Sequence, residues 1–338
     1  AFIRYGAIQC GFCPPGQLIR AYALLEANPD PSSEEIRAAM NEVLCRCGSY
    51  QLIEESIKAA AKALREGSDV ADPAFLDAYA QLDRLKLTKE KPLEHVGRPA
   101  IRPDAVAKAC GSAKFTDDIY FEGMLFARVL RTGEPSGTLE SLDITAAEAL
   151  PGVIKVLTAA ELPAARNHGL YYQDWPVLVG LGERVRYQGD ALAIVAAESQ
   201  AQADQALKQI RFELSPLPVI SSPQEAIKPE AEQIHKGGNL LKHIQVRKGS
   251  VEAGFSQSDL ILEATYHTPT AEHFFMEPEA SIAVPIYPKG SQASSEPQQP
   301  IKYEVYTGSQ IPYADRQQVA AALGVAEEAV RIRGQRTR

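Results

Sequence analysis

Four cysteines constrain this chain more than anything else in it. They form two close pairs, Cys10-Gly11-Phe12-Cys13 and Cys45-Arg46-Cys47, with 31 residues between them. Only five cysteines occur in 338 residues, so such pairing points to one shared ligand in a reducing compartment rather than to a disulfide framework. Thiolates at C-x2-C spacing grip one metal centre from a turn, and a second pair completes four sulfur ligands. A single zinc ion and a 2Fe-2S cluster both accept that donor set, and the C-x-C spacing separates them only weakly. The fifth cysteine, Cys110, stands alone between Ala109 and Gly111 and reads as a small buried residue.

The residues between and after the pairs carry helical periodicity. Leu18, Ala21, Tyr22, Leu24 and Leu25 repeat along Pro14 to Asn28, and Asn28-Pro29 closes that run. Ser32 with Glu35 has the capping-box pattern, and Ile36, Met40, Val43 and Leu44 predict a second helix reaching Cys45. Ile53, Ile57, Ala60 and Leu64 predict a third from about Gln51 to Arg65, stopped by Gly67. Residues 1 to 66 are therefore expected to be an all-α domain carrying the sulfurs. Asp72-Pro73 opens a further short helix, Phe75 to Leu85, and residues 67 to 97 as a whole read as a linker.

Beyond Arg98 the texture changes to mixed strand and helix. Leu125 to Val129 and Val153 to Leu157 are expected strands, with a short helix at Thr145 to Leu150 before Pro151-Gly152. The apolar run Ala191 to Ala197, helical Glu198 to Ile210 and extended Arg211 to Leu214 suggest a βαβ or ββα unit. This domain spans residues 98 to 223. A third segment, 238 to 338, offers strands at Leu260 to Thr268, Ser281 to Tyr287 and Lys302 to Thr307. It continues with an amphipathic helix at Ala314 to Leu323 that leads into Ala329 to Ile332, and Pro288 to Pro300 reads as a surface loop by composition.

Charge narrows the function. A net charge of -8 without any Lys/Arg block gives no nucleic-acid partner. No apolar run approaches the roughly 20 residues of a membrane span, which makes the cytoplasm the default location. The chain opens on Ala1-Phe2-Ile3 without Met and stops on Arg338, and so reads as a piece of something longer.

The flanks of the cysteines carry a resemblance. Gln9-Cys10-Gly11-Phe12-Cys13-Pro14-Pro15-Gly16 together with Cys45-Arg46-Cys47 resembles the helical 2Fe-2S domain of the xanthine oxidase family of molybdenum hydroxylases, over residues 1 to 66. Val96 to Pro99, Asp104 to Lys108, Ala113 to Ile119, Ala149 to Val153 and Arg186 to Asp190 resemble that family's hammerhead domain. The resemblance implies Cys10, Cys13, Cys45 and Cys47 as cluster ligands and Gln9 as a contact to the pterin. Glu272-His273-Phe274-Phe275-Met276-Glu277-Pro278-Glu279 is similar to the segment whose glutamate reaches the substrate pocket, which nominates Glu277. His273 and the other histidines show no metal spacing. Departures also occur: Gly48-Ser49-Tyr50 stands where the family has Thr-Gly-Tyr, Pro14 where it has Thr or Ser, and Thr132 to Ser136 replaces Ser-Pro-His-Ala-His.

The fold expected is multi-domain: an all-α helical 2Fe-2S domain, an α/β (α+β) hammerhead domain, and the start of an α/β molybdopterin-binding domain. The resemblance implies a molybdenum hydroxylase that oxidises an aldehyde or N-heterocycle with water-derived oxygen, with the general base expected beyond Arg338 and the chain itself inactive. Molybdenum-molybdopterin is the second cofactor, and FAD is confined to a separate subunit, if there is any. An electron acceptor protein or flavin subunit is the expected partner, and a homodimer stays open. The alternatives are a non-catalytic zinc-binding module and a stand-alone electron carrier.

Overall fold

The computed structural model describes residues 1–74, 100–288 and 299–334. By its contacts the chain divides into two units. One comprises Ala1–Ile119, Glu272–Asp315 and Arg331–Arg338; the other comprises Tyr120–Ala271 and Arg316–Val330.

The first unit begins with three helices. Helix α1, Pro14–Ala27, has Pro14 at its first position, where a missing N–H is no loss. Helix α2, Ser33–Met40, starts from the predicted capping box: Ser32 Oγ accepts from Glu35 N–H while Glu35 accepts from Ser32 N–H. Helix α3, Tyr50–Glu66, ends at Gly67, whose φ of 62° supplies the left-handed stop. Ile36, Met40, Ile53 and Ile57 close on Phe2, Ile8, Cys13, Cys45 and Ala105 to form one core.

Three details differ from the sequence pattern. Helix α2 stops at Met40, so Val43 and Leu44 lie in the turn that brings Cys45 inward. Tyr22 and Leu64, placed on apolar stripes by spacing, are 67% and 72% exposed, while Gln17 takes a fully buried place on α1. The helix expected at Phe75 to Leu85, and nearly all of the loop expected at Pro288 to Pro300, lie outside the described residues.

The first unit continues with the short helix α4, Ala105–Ala109. In the second unit, β1 (Phe126–Arg131), β2 (Gly137–Asp143), α5 (Thr145–Glu148), β3 (Val153–Thr158), β4 (Asn167–His168), β5 (Trp175–Pro176) and β6 (Arg184–Val185) follow in order. The segment β7 (Ala191–Ala197), α6 (Gln200–Leu207) and β8 (Arg211–Pro216) completes the main elements. One sheet has the order β1-β7-β3 and another β6-β2-β8. Every neighbouring pair in them is antiparallel. The β7-α6-β8 segment therefore does not close as a βαβ unit, because β8 pairs with β2 in the other sheet. That antiparallel pairing puts the domain on the α+β side of its class.

Strand β2 escaped the sequence reading, since Gly137-Thr138-Leu139-Glu140-Ser141-Leu142-Asp143 alternates only over part of its length and breaks register between Leu139 and Ser141. Val156, Ala193, Val195 and Ala197 pack with Ala203 and Ala206 of α6. Leu139, Val179, Val185 and Leu192 form the adjoining apolar cluster.

In the remaining chain, β9 (Ser281–Ile286) and β10 (Lys302–Thr307) pair antiparallel, and β11 (Val330–Gly334) lies beside β10. The strand expected at Leu260 to Thr268 is not formed: these residues have no regular secondary structure and are exposed. The helix near the C-terminal end runs Pro312–Leu323 and buries little beyond Ala320, so its apolar pattern is weaker than expected.

Candidate metal centre

The turn before α1 and the turn after α2 bring the two cysteine pairs together. Cys13 and Cys45 are buried, Cys10 is half-buried and Cys47 is exposed; Cys110, expected to be buried, is exposed too, because it caps the C-terminal end of the short helix α4. All four thiols lie close enough to act on one another, Cys13 most strongly on Cys45 and Cys10 on Cys47. The hydrogen bond to Cys45, and then burial, push the Cys13 thiol well up from its ordinary range. Cys45 is driven the other way because it accepts from Cys13 and from the backbone N–H groups of Ser49 and Gly48. Burial, with the bond to Cys47, raises Cys10. The thiolate is the form of cysteine that ligates metal. Among the described residues, no three or more His, Cys, Asp or Glu side chains converge as a ligand set for a single ion.

The backbone around the sulfurs is held by groups that spacing did not nominate. Cys13 is the N-cap of α1 and its carbonyl accepts from Gln17 N–H, which sets its sulfur beside a helix N-terminus that favours negative charge. Tyr50 Oη accepts from Cys45 N–H at 2.8 Å. Ser49, 3% exposed, has no hydrogen-bond partner of ordinary geometry for its hydroxyl among the described residues, yet lies near enough to Cys45 to help lower that thiol. The family's threonine hydroxyl missing at Gly48 is thus accompanied by a hydroxyl one residue on.

Lys108 is the other unforeseen residue. Only 2% exposed, it pairs through Nζ with Asp104 at 2.9 Å and donates to the Gln9 carbonyl at 3.2 Å. Its stem passes so close to Gly11 that a Cβ there would sit 2.4 Å from two of its carbons, and Gly11 has a φ of 91°. Glycine is therefore required between Cys10 and Cys13 for both conformation and space. Arg102 also binds Asp104, at 2.8 Å, and the hydrogen bonds from Arg102 and then Lys108 hold that carboxyl far below its usual range. The sequence signal for this arrangement was the Asp104 to Lys108 segment, read only as part of a resemblance.

Gln9 and Glu277 fare differently. The Gln9 side chain is exposed at the edge of the cysteine turn. Glu277 is buried, 8% exposed, and its Oε2 has no hydrogen-bond partner among the described residues. Upstream of it, Arg46 of the C-R-C pair donates to the carbonyls of Glu272, at 2.6 Å, and His273. The Arg46 guanidinium also stands 5.8 Å from the centre of the Phe274 ring, and Phe274 has a φ of 51°. No helix of the described residues is long and apolar enough to cross a membrane.

Comparison with known proteins accords with this arrangement. Residues 1–58 match the family described as 2Fe-2S binding domain, residues 110–218 the aldehyde oxidase and xanthine dehydrogenase a/b hammerhead domain, and residues 234–337 the molybdopterin cofactor-binding domain. A probable xanthine dehydrogenase chain of Bacillus subtilis is 37% identical over 70% of this chain and 30% of its own length. The nicotinate dehydrogenase large molybdopterin subunit of Eubacterium barkeri is 32% identical over 72% of this chain and 54% of its own length. The crystallised aldehyde oxidoreductase of Desulfovibrio desulfuricans superposes with a TM-score of 0.78 at 26% identity, over 99% of this chain and 36% of that one. The chain thus spans between about a third and a half of the length of these relatives.

A 2Fe-2S binding domain, a hammerhead domain and a molybdopterin cofactor-binding domain in one chain define an iron-sulfur molybdenum protein. The chain belongs to the xanthine oxidase and aldehyde oxidoreductase family of molybdenum hydroxylases.

Proposed function

We propose that Cys10, Cys13, Cys45 and Cys47 hold a 2Fe-2S cluster that serves a molybdenum-dependent oxidation of an aldehyde or N-heterocycle. The observation that supports this reading is that the two turns bring all four cysteines close enough to act on one another, within residues that match a 2Fe-2S binding domain. Four cysteine sulfurs are the donor set of a 2Fe-2S cluster. A bound cluster supplies one-electron storage and transfer, and a bound molybdenum-pterin group supplies the two-electron oxidation of the substrate carbon.

The chain's own residues hold and shield. The Gly48 and Ser49 N–H groups favour negative charge on the Cys45 sulfur, and Cys13 stands at the N-terminus of α1. Lys108 fixes the Gln9 carbonyl and packs over Gly11, so the exposed Gln9 side chain is aimed by a rigid turn, as a pterin contact requires. Glu277, with a buried oxygen unpartnered among the described residues, is available to accept a hydrogen bond from an N–H of a heterocyclic substrate. The names of the relatives, xanthine and nicotinate dehydrogenases and an aldehyde oxidoreductase, fit that substrate range.

In this reading residues 1 to 66, 98 to 223 and 238 to 338 act as cluster, hammerhead and molybdopterin domains. Electrons leave to an acceptor protein or a flavin subunit, and the location is cytoplasmic. Electron paramagnetic resonance of the reduced protein tests the proposal. A rhombic 2Fe-2S signal at two irons per chain is expected; stoichiometric zinc without that signal overturns it in favour of a structural ion.

A further inference from the structure

The cysteine turn and the Glu277 segment lie more than 200 residues apart in sequence, yet one side chain ties them together. Arg46, flanked by Cys45 and Cys47, directs two of its donors to consecutive carbonyls, those of Glu272 and His273. It stands against the ring of the next residue, Phe274. Phe274 is the one non-glycine residue with positive φ among those described. A bulky side chain adopts that conformation only where its surroundings enforce it. Local help amounts to a long bond of 3.4 Å from Phe274 N–H to Glu272 Oε1, whereas Arg46 engages all three residues of the turn. Three positions further on, Glu277 is buried with one carboxylate oxygen unpartnered among the described residues, and the fold around it has to hold such an oxygen against its desolvation cost.

We propose that Arg46 is a positioning residue: it clamps the Glu272–Phe274 turn and thereby sets Glu277, so that the cysteine turn and the Glu277 segment order together. The planar fork of arginine suits two neighbouring carbonyls and an aromatic face at once, which a lysine ammonium does not. The meaning of Glu277 for substrate rests on the function proposed above; the clamp itself does not.

Hydrogen-deuterium exchange on the whole chain, loaded with iron and sulfide, decides the matter. Arg46→Ala is expected to accelerate exchange of a peptide covering 272–278 about tenfold, with the thermal midpoint and the resonance signal of the cluster kept. Arg46→Lys should give nearly the same acceleration and guards against misfolding of the alanine variant. Phe274→Gly, which accepts the left-handed turn at no steric cost, should shrink the effect of Arg46→Ala in the double variant. Unchanged exchange at 272–278 in both Arg46 variants, or full additivity with Phe274→Gly, overturns the clamp. A wild-type chain that holds zinc instead of a cluster overturns the proposed function, while the exchange comparison on that same preparation still decides the clamp.

Discussion

The two cores of this molecule are built on different principles. The helical core of the first unit closes Ile36, Ile53 and Ile57 around Cys13 and Cys45, and admits Gln17, Ser49, Ser56 and Lys108 as buried polar groups. The sheet cores of the second unit are closed by Ala, Val, Leu and Ile, with Asp190 and Thr132 among the few buried polar residues there. A core of methyl groups is complete once packed. A core with two buried thiols and a buried ammonium depends on what those groups hold. Stability of the first core should therefore follow the ligand, and that of the second the side-chain volume.

The largest expected effect breaks this contrast in one step. Removing iron, or replacing Cys45 by serine, should unfold the helical core, since ligand binding free energy is folding free energy in such sites. The loss should exceed the roughly 5 kcal/mol that marks the upper end of a single core truncation. Calorimetry read beside circular dichroism should show the helical transition lost and the sheet transition kept. A common loss of both transitions would mean that the two cores are not independent.

The converse substitution comes next in size. Leu192, fully buried on β7, should cost about 2–5 kcal/mol on truncation to alanine, with the resonance signal of the cluster unaltered. Denaturant titration followed by strand-sensitive dichroism measures the first, and spectroscopy of the same sample the second.

Lys108→Met sits between the cores in character. It keeps the stem over Gly11 but removes the ammonium from Asp104 and the Gln9 carbonyl. Because Arg102 still pairs with Asp104, the cost should be about 1–3 kcal/mol, below that of a fully orphaned buried charge. Its sharper signature is spectroscopic: the cluster signal should broaden as the turn around Cys10 loosens. The same cation pair holds the Asp104 carboxyl below its usual range. Its contribution to stability is therefore present above the unfolded carboxyl pKa near 3.8 and fades as pH falls through the folded value.

The helical half of the fold was legible because its signals are local. Ser32 and Glu35 cap, Pro14 starts and Gly67 stops, each within one turn of chain, and the structure keeps all of them. The cysteine pairs were legible for the same reason. Long-range partners were not. Lys108 is 99 residues from the Gln9 carbonyl it binds, and nothing in Asp104 to Lys108 announces a buried ammonium. The β7-α6-β8 segment has the local pattern of a βαβ unit, yet the sheet that β8 joins is decided by β2, whose alternation is interrupted by a register shift. At Leu260 to Thr268 the apolar residues suggested a strand, but no neighbouring strand pairs with them among the described residues, and a strand without a partner has no ladder to stabilise it.

The smallest predicted effect tests whether surface charge contributes to the helical core at all. Glu54 on α3 accepts from Lys58 Nζ at 2.6 Å and from Arg37 Nε of α2 at 2.8 Å, tying two helices together. The bonds from Lys58, Ser33 and Arg37 bring its carboxyl down to about 2. A folded pKa below the unfolded one stabilises above the unfolded value, near 4.5, and the contribution disappears between there and about 2 as pH falls. Lys58 and Arg37 are 45% and 74% exposed, so solvent screens the pair and the stabilisation should be about 0.5–1 kcal/mol. Glu54→Gln should lower the helical midpoint slightly at pH 7 and flatten its decline between pH 4.5 and 2. The sheet transition should keep its own pH profile throughout. A Glu54→Gln chain whose helical midpoint falls with acid as steeply as that of the wild type would assign the acid sensitivity to Asp104 and the sulfur site, and the surface pair would then carry none of it.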